Sequence, residues 1–133
     1  MMALQNIRVV KGKRTILEEI HLQLTPGKVT VVIGVNGAGK STLVRLLSGE
    51  WMPDAGQILW EGNALSESCP LEVARYRAVV NQQADLRFDF TIREVVEMGR
   101  FPLRQTNGKQ LQDHVDTALN EVGLLSKSDA RVT

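Results

Sequence analysis

At 133 residues the chain makes one domain at most, or part of one. Its 43% apolar and 23% charged content is ordinary for a soluble globular chain, and a net charge of +1 argues against nucleic acid or an acidic surface as partner. The lone cysteine, Cys69, excludes an internal disulfide and a cysteine-based zinc site, and no apolar run approaches the ~20 residues that cross a bilayer. The first residues show no charged segment leading into an apolar one, so a cytosolic protein is expected, with any membrane association made through a partner.

Ala3 to Val10 alternates loosely and reads as a strand, and Thr15 to Leu24 reads as a second, with Ile16, Ile20, Leu22 and Leu24 at alternating positions. The basic turn Lys11-Gly12-Lys13-Arg14 between them makes an antiparallel hairpin. After the turn Thr25-Pro26-Gly27-Lys28, the β-branched run Val29-Thr30-Val31-Val32-Ile33 suits a strand buried on both faces. A glycine-rich segment follows at once. Ser41 to Ser48 then places Leu43, Val44, Leu46 and Leu47 along a helical face that Gly49 ends.

Pro53-Asp54-Ala55-Gly56 is a turn, Gln57 to Trp60 a strand, and Glu61-Gly62-Asn63 a tight turn. Pro70 to Arg75 predicts a short helix opened by proline, and Ala78 to Asn81 a short strand. Thr91 with Glu94 forms a capping box for a helix through Gly99, and a further helix runs from Lys109 to Val122, stopped by Gly123. The elements are β-rich first, then mixed, then helical.

The segment Gly34-Val35-Asn36-Gly37-Ala38-Gly39-Lys40-Ser41-Thr42 matches G-x-x-x-x-G-K-[ST] in full. Glycines let the backbone take positive φ and bring its N–H groups to phosphate oxygens with no Cβ in the way. A helix starting near Lys40 aims its N-terminal partial charge at the same phosphates. Lys40 is placed to reach the β- and γ-phosphates, and the Ser41 hydroxyl to ligate Mg²⁺. Average residue usage makes a chance match roughly one in a few hundred chains of this length. The bland alternative is a glycine-rich strand-to-helix turn, and the strand and helix expected on either side favour the phosphate reading.

The flanking residues narrow the family. Gly34 to Leu43, Leu46-Leu47-Ser48-Gly49, Pro53 to Ile58, and Leu17 to Leu24 followed by Pro26-Gly27-Lys28-Val29 resemble the ATP-binding subunits of ABC transporters. Ser48-Gly49-Glu50, Leu86 to Phe90 and Val95 to Pro102 look like the haemin importer branch, ahead of the related siderophore and cobalamin importers. The resemblance implies an α/β fold of the P-loop NTPase class, the N-terminal half of an ABC cassette. It would comprise an antiparallel β subdomain and P-loop core over residues 1–82 and a Q-loop with the start of a helical subdomain over 83–133. It also implies ATP and Mg²⁺ as ligands. Gln82, after Tyr76 to Asn81, takes the place of the glutamine that touches Mg²⁺ or the attacking water. The implied partners are a permease, a second copy of the subunit and, indirectly, a periplasmic binding protein, on the cytoplasmic side of the bacterial inner membrane. The aromatic and proline residues Phe88, Phe90, Phe101 and Pro102 fall where the permease docks, and divide between core and that surface.

Three departures from the family pattern stand out. No aromatic residue precedes Trp51 to stack on adenine, although the basic turn Lys11 to Arg14 occupies that position. Val35 stands where proline is usual. The Leu-Ser-Gly-Gly signature, the strand ending in Asp-Glu and the switch histidine do not occur in these 133 residues. The chain as given is therefore expected to bind nucleotide without hydrolysing it, turnover belonging to the complete subunit. His21 and His114 have no ligand-spaced neighbours and Cys69 reads as an inert loop thiol. Repair or translation ATPases of the same class usually carry tandem cassettes or coiled-coil insertions, which are absent, as is the guanine-reading Asn-Lys-x-Asp of GTPases.

Overall fold

The computed structural model describes residues 1–80, 89–103 and 108–132. These fall into two compact units, Met1–Pro70 and Leu71–Thr133. The boundary expected at Gln82 lies outside the described residues.

The first unit is built on a four-stranded antiparallel sheet. Strand β1 spans Met2–Lys11, β2 Arg14–Leu24, β3 Ala55–Trp60 and β4 Asn63–Ala64, in the order β2-β1-β3-β4. The predicted hairpin is formed, with Met2 opposite Leu24 and Lys11 opposite Arg14. Its loose alternation has a structural cause. β1 carries one extra residue between Leu4 and Ile7, and β2 one extra between Leu17 and Ile20. Asn6 and Glu19 absorb these bulges with φ of 50° and 52°. The shifts bring Leu4, Ile7, Val9 and Leu17 to buried positions together. Leu17, outside the predicted alternation, becomes a core residue for this reason. At the other end, Glu61 and Gly62 (φ 48° and 84°) make the two-residue turn that joins β3 to β4.

Helix α1, Lys40–Leu47, packs against β2 and buries Leu46 completely. Val44 departs from expectation and is exposed, because Leu43, Leu46 and Leu47 share one face at spacings of three and four while Val44 lies off it. The larger correction concerns residues 29–33, which form no strand and are not buried. Val29 is 93% exposed, Val31 73% and Ile33 86%. A strand of this composition is held by neighbours that satisfy its N–H and C=O groups, and the described sheet places none beside it. Ala78 to Val80 likewise form no strand, and Asn81 lies outside the described residues.

Helix α2, Pro70–Ala74, opens on its proline as predicted. In the second unit α3 spans Ile92–Met98 and α4 Gly108–Glu121, with Val115 and Leu119 fully buried between turns of α4 and its surroundings. The capping box is present: the Thr91 hydroxyl accepts the Glu94 N–H, and the Glu94 carboxylate accepts the Thr91 N–H at 2.7 Å. The chain then returns to the start of α3. The Ile92 and Arg93 N–H groups donate to Ala130 and Ser128 carbonyls, and Val132 N–H to Phe90. Arg93 pairs with Asp116 of α4 at 2.7 Å.

Candidate functional site

The glycine-rich segment is a loop that delivers the chain into α1. Gly37 and Gly39 take φ of 81° and 86°, the left-handed region that costs other residues about 1–2 kcal/mol. Gly39 is also the N-cap of α1, and its closeness to β2 excludes a side chain. A Cβ there would lie 2.7 Å from Leu17 Cδ2 and 3.2 Å from the Ile16 carbonyl oxygen. The loop is thus seated on the start of β2, and Ala38 N–H closes a turn on the Val35 carbonyl at 3.3 Å.

Lys40, the first residue of α1, folds back over the loop. Its ammonium donates to the carbonyls of Gly34 at 2.8 Å and Val35 at 2.7 Å. This pins both ends of the loop to one cation, and it leaves a third N–H of the ammonium for another acceptor. The first intrahelical bond runs from Leu43 N–H to the Gly39 carbonyl at 2.9 Å. The N–H groups of Gly39, Lys40, Ser41 and Thr42 consequently have no acceptor within the helix. No side chain caps this end, and no acidic residue stands in the first turn. Backbone donors, the helix dipole and an ammonium therefore meet at one place, with no salt bridge to Lys40 among the described residues. The residues fit a phosphate group.

The structure thus brings Gly34 to Thr42 together, with the Ser41 hydroxyl exposed at the same helix end. Gln82 lies outside the described residues, as do Leu86 and Phe88. Phe101, in a short 3-10 turn over Phe101–Leu103, is 67% exposed. His21 Nδ1 accepts the Asn6 N–H at 3.4 Å on the hairpin, and His114 Nδ1 lies 3.1 Å from Arg100 Nη2. Among the described residues no group of three or more His, Cys, Asp or Glu is placed to hold a metal ion.

Two supports were not legible beforehand. The Asp54 carboxylate accepts the Val10 N–H at 2.7 Å, so a turn residue extends the ladder of β1. Trp51 has two cations near its ring, the Lys11 ammonium 5.4 Å and the Arg45 guanidinium 4.8 Å from the centroid. The only hint of that cluster in the sequence is the Trp-Met-Pro-Asp run after Gly49.

Residues 17–133 match the protein family described as ABC transporter. Among curated proteins, the hemin import ATP-binding protein HmuV of Agrobacterium fabrum is 43% identical over 99 residues, 74% of this chain and 38% of that protein. The protein of the same name from Methylobacillus flagellatus is 40% identical over 114 residues, covering 84% and 42%. That from Bordetella avium is 38% identical over 120 residues, covering 90% and 46%. The chain spans less than half the length of these relatives. Among solved structures, a nucleotide-free ATP-binding cassette from an ABC transporter superposes with a TM-score of 0.76 at 24% identity, over 98% of this chain and 56% of that one. A dimeric post-hydrolysis cassette bound to ADP and Pi gives 0.81 at 21% identity, over 98% and 61%. At these identities the likeness concerns the fold.

Proposed function

Because this chain belongs to the ABC transporter family, we propose that it is the nucleotide-binding front part of the ATP-binding subunit of a haemin importer. Its fold is that of the N-terminal half of an ATP-binding cassette. The observation that carries the reading is the uncapped start of α1 beneath a lysine already aimed along the loop.

Each residue has a task in that reading. The N–H groups of Gly37 and of Gly39 to Thr42 bind the phosphate chain, glycine being required where the backbone turns left-handed. Lys40 directs its remaining N–H to the β- and γ-phosphate oxygens while its carbonyl contacts hold the loop in shape. Asn36, Ala38 and Val35 complete the loop, the last without the fixed φ of proline. The Ser41 hydroxyl, and Gln82, would hold Mg²⁺, which when bound neutralises charge on the phosphates. Catalysis of phosphoryl transfer is mostly positioning and electrostatics. The missing signature and acidic strand end leave these 133 residues with binding alone. In the full-length subunit a second copy completes the site, a permease takes up the closure, and the assembly sits at the cytoplasmic face of the membrane. The haemin assignment is supported by the relatives' names and by Val95 to Pro102. The exposed Phe101 suits the permease-facing part of that segment.

Calorimetric titration of ATP with Mg²⁺ into the chain tests the binding reading. Lys40→Ala should weaken ATP by about ten- to a hundredfold, the worth of charge-assisted hydrogen bonds. Equal affinity in the variant would overturn it. The transport reading is checked in vesicles holding the full-length subunit and its permease: haemin should stimulate ATP hydrolysis, and stimulation by a siderophore or cobalamin instead would reassign the ligand.

A further inference from the structure

Gly39 closes the phosphate loop and opens α1, and β2 sets where it lies. A Cβ on Gly39 would be 2.7 Å from Leu17 Cδ2, 3.2 Å from the Ile16 carbonyl oxygen and 3.5 Å from Ile16 Cγ2. Two consecutive residues of one strand thus reach a single point, whereas in a regular strand their side chains stand on opposite sides. The pairing of β2 with β1 accounts for this. Val9 lies opposite Leu17 and Val10 opposite Thr15, so Ile16 is an extra residue with no partner in β1. A second extra residue follows between Leu17 and Ile20, where Glu19 turns left-handed at a φ of 52°. Leu17 is held between the two irregularities and is buried, at 7% exposure.

The position of Gly39 governs the donors of the site. Its N–H, with those of Lys40, Ser41 and Thr42, has no acceptor within the helix, and its carbonyl accepts the Leu43 N–H at 2.9 Å. A shift of Gly39 therefore moves these donors together. The far part of α1 is fixed by Leu46, which is completely buried. The near end has no side-chain cap, and the Lys40 ammonium holds the loop only to itself, through the carbonyls of Gly34 and Val35. The seat on Leu17 and Ile16 ties that end to the sheet.

We propose that Leu17 is a positioning residue for phosphate binding. Its side chain, placed by the irregular start of β2, sets the height of Gly39 and so the aim of the N–H groups from Gly39 to Thr42. The inference rests on the nucleotide reading above and adds to it a core residue outside the loop, acting only through Gly39. Leu17→Ala opens space beneath Gly39, and charge-assisted hydrogen bonds from four donors weaken together when their shared geometry is lost.

Equilibrium dialysis of ATP and of inorganic tripolyphosphate against the chain at low protein concentration tests this, with circular dichroism checking that each variant is folded. Leu17→Ala should weaken both ligands by one common factor of about five- to twentyfold. Leu17→Met, which conserves volume, should restore most of the affinity. Ile58→Ala is the control: Ile58 is buried as deeply, at 3% exposure, but lies on β3 opposite Leu4, with β1 between it and β2. It should lower stability to urea as Leu17→Ala does while leaving both affinities within about twofold of the parent. The inference is overturned if folded Leu17→Ala binds as the parent does, or if Ile58→Ala weakens binding by as much. Should Leu17→Ala fail to fold, Leu17→Val decides the matter. It should weaken both ligands by about two- to fivefold, and equality with the parent overturns the inference. A parent chain that binds neither ligand defeats the nucleotide reading itself. A parent that binds both, with affinities indifferent to Leu17, defeats this inference alone.

Discussion

A Cβ on Gly56 would lie 2.2 Å from the Asn6 carbonyl oxygen and 2.5 Å from that of Gln5, at a backbone φ of +84°. The position is tight because the β1 bulge at Asn6 pushes its backbone toward the start of β3. Gly62 has the same φ and open space around it. The pair separates two costs that usually coincide. Gly62→Ala should lose about 1–2 kcal/mol for the left-handed conformation alone. Gly56→Ala should lose about 2–4 kcal/mol, since displaced backbone adds to that strain. Urea titration at low protein concentration measures both, and equal losses would show that β1 yields freely. Similar logic governs Gly39, where the neighbours are Leu17 and Ile16, and there the strain would also move the first donor of the phosphate site.

Helix α3 is held at its start by a reciprocal pair. The Thr91 N–H is the main influence on the Glu94 carboxyl, followed by the Thr91 hydroxyl at 3.0 Å, and together they hold it below the usual glutamate range. A depressed folded value means that the stabilisation is present above the unfolded pKa and is lost as pH falls through the folded one. The second unit should therefore weaken below about pH 4. Glu94→Gln should be less stable than the parent at pH 7, with the gap narrowing as pH falls through the titration of Glu94; two parallel stability curves would sink this account. Thr91→Ala should cost about 1 kcal/mol at neutral pH. This helix was legible in the sequence because its signals are local: Thr91, Glu94 and Gly99 lie within three turns. The same holds for α1, α4 and the strands of the hairpin, whose alternation and stop residues are read over a few positions. Residues 29–33 and 78–80 carry equally strong β-branched signals, yet strand formation there depends on partners distant in the chain. Lys11 over Trp51 was hidden for that reason too, since pairing across the fold leaves no spacing rule. The loop from Gly34 to Thr42 was legible because phosphate chemistry demands particular residue types at fixed offsets.

At the scale of the whole chain, the exposed run from Val29 to Val35 sets the solution behaviour. Val29, Val31 and Ile33 are open to solvent, Val35 is 79% exposed, and no charged residue occurs between Lys28 and Lys40. Covering four such side chains is worth on the order of 6 kcal/mol, comparable to the entire stability of a small unit. Identical segments can cover one another: they are β-branched, uncharged and free of proline, the composition that stacks in register. A net charge of +1 offers little repulsion between copies. The 133-residue chain should therefore self-associate with rising concentration and lack a single sharp thermal transition. Placing lysine at both Val31 and Ile33 puts like charges opposite each other in any pairing of copies. Light scattering should show that variant remaining monomeric where the parent has associated, with the far-ultraviolet spectrum of the sheet unchanged because β1 to β4 do not include these positions. A parent chain that stays monomeric and melts cooperatively would mean that residues 29–35 find cover within the chain itself.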